Sequence, residues 1–151
     1  MQLPMIAALL LAPPADSNLC ASLKQSIARA PYGFTELPAD LFAEPFAGEY
    51  FDCSVIDSSK YDAEAPRHRD LVCETPMRVR PAGVDPKDSP EVALRGEVAE
   101  CLGRPADFTA FLFDTPEARV EVTGSFVIST SRIGPAPPPT RATVLVIHAK
   151  P

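Results

Sequence analysis

The chain has 151 residues, 46% of them apolar and 23% charged, and carries a formal net charge of −6. That length suits one domain able to bury roughly two-thirds of its unfolded surface, and that balance excludes a disordered chain. The negative charge, the lack of a G-x-x-x-x-G-K-[ST] loop, and bases as sparse as Arg67, Arg69, Arg78 and Arg80 exclude a nucleic-acid or phosphate track.

The first fifteen residues read as an export signal. Met5 to Ala12 is apolar and too short to span a bilayer, and Ala15 suits a cleavage site before Asp16. Leu19 ahead of Cys20 does not fit lipid attachment. The expected organisation is therefore a signal peptide over 1–15 and one domain over 16–151, with no membrane association once the signal is removed. Four cysteines without a C-x-x-C pair fit two disulfides in an oxidising compartment, periplasmic or extracellular, better than a zinc ribbon or a thioredoxin-like site.

From Ser17 to Ala30 the apolar residues Leu19, Cys20, Leu23, Ile27 and Ala30 draw one helical stripe, with Ser17 as its cap and Pro31 and Gly33 as its stop. The proline-broken stretch to Phe46 reads as loop, with a short strand near Phe34 to Leu37 as the alternative. Two extended runs follow, Glu49 to Ile56 and Asp70 to Val79, joined by the polar loop SSKYDAEAPRHR. Cys53 lies two residues after Phe51 and Cys73 two after Leu71, so each cysteine shares a strand face with an apolar neighbour and points at the core. A Cys53–Cys73 bond would staple this hairpin, and a Cys20–Cys101 bond would tie the two helices. Cys20 with Cys73 and Cys53 with Cys101 is the other arrangement considered, since all four cysteines face one core.

A second helix starts at Ser89 and Pro90, with Glu91 in its first turn. It buries Leu94, Val98, Cys101 and Leu102, and it stops at Gly103. The last third reads as three strands: Asp107 to Phe113, the alternating run Val120 to Ser129 with a bulge at Gly124, and Thr143 to Ala149 after the turn Gly134 to Pro139. The order helix, two strands, helix, three strands predicts an α+β fold, one antiparallel sheet of about five strands with both helices on one face.

The run Ala30-Pro31-Tyr32-Gly33-Phe34 after the first helix, then Cys53, Cys73 and Cys101-Leu102, resembles a group of small exported bacterial proteins of unknown function. The resemblance implies export and an α+β fold. It brings no catalytic residues.

Chemistry is sparse. The two histidines, His68 and His148, fall in a loop and near the end of the last strand; there is no G-x-S-x-G, and each cysteine sits on an apolar stripe. Alternation with Val144 and Val146 makes His148 an edge or satisfied core histidine rather than a base. The segment from Asp57 to Asp62 starts like a calcium loop but lacks its glycine and carries Lys60, and a cluster of Asp62, Glu64, His68 and Asp70 reads as a solvated loop. No metal or cofactor is assigned. One feature rises above background: from Glu36 to Glu64 eight acids face Lys60 alone, net −7, while from Arg67 onward eleven acids balance eleven bases. Glu36, Asp40, Glu44, Asp57, Asp62 and Glu64 are thus candidates for meeting a basic protein by charge steering. The sequence therefore points to an exported, non-catalytic binding or inhibitor-like module. The alternatives are an enzyme of unrecognised type using His68 or His148, and a structural subunit of an envelope assembly.

Overall fold

A computed structural model describes residues 17–57, 68–79, 88–105, 111–127 and 140–150. The signal-peptide reading, the loop residues Asp62 and Glu64, Arg80, and the turn Gly134 to Pro139 lie outside the described residues.

Helix α1, Asn18–Arg29, begins where the Ser17 hydroxyl accepts the Cys20 N–H, and it passes into a 3₁₀ turn, Ala30–Tyr32, closed by Gly33 at φ 67°. Its buried face holds Ser22, Leu23, Ser26 and Ile27. The sequence stripe found the two apolar residues; the buried serines carry no apolar signal. Helix α2, Pro90–Cys101, is capped by Ser89, with Glu91 in its first turn and Leu94, Val98 and Ala99 buried.

The strands are β1 Asp52–Asp57, β2 Arg69–Glu74, β3 Arg78–Val79, β4 Leu112–Asp114, β5 Ala118–Val127 and β6 Thr140–Ala149. All pairings are antiparallel in one sheet of order β1-β2-β6-β5-β4, with β3 also on β6. The α+β class holds, with one strand more than expected. The extra strand arises because the expected run Asp70 to Val79 is split: β2 pairs Asp70 with His148 and Glu74 with Val144, whereas β3 pairs Arg78 with Arg141, a slip of one residue. Pro76 has no N–H to give to the ladder. At the slip the Thr75 hydroxyl accepts the Thr143 N–H at 2.8 Å, and the Thr75 N–H donates to the Thr143 carbonyl at 3.0 Å. A side chain thus replaces a missing backbone partner.

Alternate residues divide the sheet. Cys53, Leu71, Cys73, Leu145, Ile147, Ala149, Ala118, Val120, Val122 and Phe113 join Leu23, Ile27, Leu94 and Val98 in one apolar core, so both helices cover that face. Asp70, Val72, Val146, His148, Arg119 and Glu121 occupy the other.

Two disulfides close the core. Cys20–Cys101 links the first turn of α1 to the end of α2, and Cys53–Cys73 joins directly opposed residues of β1 and β2, whose Cα atoms lie 4.0 Å apart. That spacing is of the narrow, non-hydrogen-bonded kind that brings cross-strand side chains together.

Two expectations are corrected. Pairing between β5 and β6 runs in unbroken register from Ala118–Ala149 to Val127–Thr140, so Gly124 forms no bulge. It is small because a Cβ there would overlap the Arg141 guanidinium, whose Nε lies 3.3 Å from Glu91, a carboxylate only 2% exposed. The stretch Phe34 to Leu37 is turn rather than strand, with Phe34 and Glu36 at φ 61° and 58°.

Candidate functional site

The irregular segment between α1 and β1 is anchored despite its lack of regular structure. Phe34, Glu36, Phe42 and Ala47 all have positive φ, a conformation that costs a non-glycine residue about 1 kcal/mol or more. Burial of Phe34 and Phe42 offsets that cost, the Phe42 N–H donates to the buried Ser22 hydroxyl at 2.8 Å, and Asn18 clamps the loop by accepting from the Glu44 N–H at 3.2 Å while its amide donates to the Asp40 carbonyl at 3.4 Å. The acids of this segment therefore stand on a fixed scaffold.

Their positions differ. Glu36 is exposed and paired with Arg29 at 3.2 Å; Asp40 and Glu44 are exposed; Asp57 ends β1 half-buried; and Glu49 pairs with Arg78 at 2.9 Å. Glu44 also rims a hollow of about 280 Å³ walled by Leu19, Phe42, Phe46 and Phe51, with Glu97 of α2 on the rim as well. Phe51 lies edge-on to Phe42 at 5.9 Å and is stacked with Phe46 at 6.3 Å. Glu97 is an exposed residue whose partial desolvation, and then the neighbouring charge of Glu100, push its carboxyl above its ordinary range. Glu97 falls outside the acidic stretch in sequence; only the packing of α2 beside α1 brings it to Glu44.

A second cluster lies on the face of the sheet opposite the helices. Asp70 and His148 are register partners on β2 and the central strand β6, and His68 immediately precedes β2. His148 Nδ1 is 3.1 Å from Asp70 Oδ1, His148 Nε2 is 2.8 Å from Glu121 Oε2, and His68 Nε2 is 3.6 Å from Asp70 Oδ1. Both histidines of the chain thus converge on one carboxylate. His148 sits neither on an edge strand nor in the helix-covered core: five residues of strand register place it with Val146 and Val144 on the face of a central strand, a position that alternation alone leaves undefined. The sequence carries no signal for Glu121, which lies in a run whose polar positions read as the wet side of a strand.

A hollow of about 540 Å³ opens beside this cluster, lined by His68, Phe111, Leu112, Arg119, Glu121, His148 and Lys150. At its rim Lys150 hydrogen-bonds Asp114, which, with the added charges of Lys150, Arg119 and Arg104, holds that carboxyl below its ordinary range. A histidine polarised between two carboxylates at a hollow is what acid–base chemistry requires. The cysteines offer no nucleophile, since all four are in disulfides. Among the described residues, β1 and β4 have a strand neighbour on one side only, and Val55, Phe111 and Leu112 are exposed.

Comparison with protein-family models, with curated proteins and with solved structures finds no match to this chain.

Proposed function

We propose that the protein is an exported binding module, periplasmic or secreted, that recognises a basic protein partner without catalysing a reaction on it. The observation that carries this reading is the hollow between Leu19, Phe42, Phe46 and Phe51 with Glu44 and Glu97 at its rim. A lysine or arginine side chain matches it, with an apolar stem for the aromatic wall and a cationic head for the carboxylates. Glu97 is exposed on α2, so its carboxylate is open to an arriving cation. The fixed backbone around Asp40 and Glu44 lowers the ordering cost of binding. Exposed tyrosines at Tyr32 and Tyr50 flank the segment in sequence and are of a type common at interfaces. Two disulfides support an oxidising compartment, and among the described residues no helix is long and apolar enough to cross a membrane.

Amide NMR during titration with a hexalysine peptide tests the reading. Shifts are expected at Leu19, Glu44, Phe46 and Glu97, weakening as salt shortens the Debye length from about 10 Å at 0.1 M, and fading in Glu97→Gln. Shifts scattered evenly over the surface, or equal ones with a hexaglutamate peptide, contradict it. With a captured basic partner, Asp40→Lys with Glu44→Lys is expected to slow association at low salt; an unchanged rate reduces the acids to a solvated surface.

A further inference from the structure

We propose that His68, Asp70 and His148 form a binding site for a divalent transition ion of the zinc type, with Glu121 orienting His148. This site is separate from the acidic segment and does not depend on a basic partner.

One donor atom from each of the three residues lies within 4.8 Å of the other two. Zinc bonds of about 2.0–2.1 Å in a tetrahedron place neighbouring donors roughly 3.4 Å apart. The His148–Asp70 and His68–Asp70 separations of 3.1 and 3.6 Å bracket that value. A carboxylate only accepts, so the 2.8 Å contact with Glu121 is donated by His148 Nε2, while Nδ1 lies 3.1 Å from Asp70 Oδ1 with no hydrogen bond aligned on that oxygen and is the nitrogen available to an ion. A histidine held through its far nitrogen by a carboxylate is the usual partner arrangement of a metal-ligating imidazole.

The decisive detail is Asp70 Oδ1. That atom is sealed from solvent, and among the described residues no N–H is aligned on it, although two imidazole nitrogens lie close by. Donors sharing one ion are near each other without pointing at each other, because each points at the ion. Two imidazoles with one carboxylate suit zinc, and less well copper or nickel; calcium and magnesium take oxygen ligands. The adjoining hollow of about 540 Å³ leaves room for water as a fourth ligand.

The test is calorimetric titration of the chelator-stripped, untagged protein with zinc chloride, and with calcium chloride in parallel. One zinc per chain and no calcium binding are expected, with the visible spectrum of a four-coordinate ion when cobalt replaces zinc. Glu121→Gln should weaken zinc about 10–100-fold, and His68→Ala and His148→Ala at least as much. Circular dichroism checks that each variant is folded. His68 lies outside the strands, so its variant serves even where the His148 one fails to fold. Absent zinc binding, or binding that ignores both His68→Ala and Glu121→Gln, overturns the proposal. So does a nitrogen NMR spectrum in which the His148 Nδ1 resonance does not move when zinc is added.

Discussion

The two faces of the sheet are made from alternate residues of the same strands, yet they do different work. On β6, Leu145 and Ile147 are sealed under the helices, whereas Val146 and His148, which alternate with them, face the other way beside Glu121 and Asp70. The helix-covered face gathers apolar area and both disulfides, so its residues are set by packing. The opposite face keeps a histidine between two carboxylates beside a hollow, which is where the proposed ion would bind. Within one strand, then, a step of a single residue separates what holds the fold from what the fold presents.

Substitutions on the closed face carry the largest expected effects. Replacing Cys20 and Cys101 together by alanine frees a loop of sequence separation 81 and should cost about 4.5 kcal/mol in the chain-entropy account, against about 3 kcal/mol for Cys53 and Cys73 with separation 20. Denaturant unfolding of the two double variants measures the difference. Next comes the adjacent pair on β6: Leu145→Ala should cost about 3 kcal/mol through the cavity it leaves, and Val146→Ala about 1 kcal/mol. Equal losses would deny the asymmetry.

Gly124→Ala pushes the Arg141 guanidinium off Glu91, and Arg141→Ala removes it; a loss of about 1–3 kcal/mol is expected from the latter, since a buried carboxylate loses a cationic neighbour. Arg141→Ala combined with Glu91→Leu should recover much of it. The smallest effect is at Glu97. Its folded pKa is raised, so the folded state holds that proton to higher pH than the unfolded chain, and the site's relative stability falls as pH rises through the folded pKa. Glu97→Gln should therefore raise the thermal midpoint slightly at neutral pH and not below pH 4.

Much of the fold was legible because its signals are local. Ser17 and Ser89 cap the two helices where the sequence placed them, Gly103 closes α2 at φ 66°, and period-two alternation puts Cys53 and Cys73 on the core side, where the strand register sets them opposite each other. What was not legible depends on a third partner. Gly124 answers to an arginine seventeen residues on, Ser22 to the Phe42 amide, and the split between β2 and β3 to Thr143 on another strand. The second cluster is the extreme case: His68, Asp70, Glu121 and His148 lie on three segments, and only sheet order brings them together.

The most direct test of the division between the faces is thermal unfolding of the unaltered protein, Leu145→Ala and His68→Ala, each with and without saturating zinc. An ion bound only by the folded state raises the midpoint. Leu145→Ala should melt lower than the unaltered protein yet keep the zinc-dependent rise, while His68→Ala, altered outside the strands, should melt close to the unaltered, metal-free protein and show no rise. A His68→Ala protein as destabilised as Leu145→Ala, or zinc that shifts all three alike, would contradict the account.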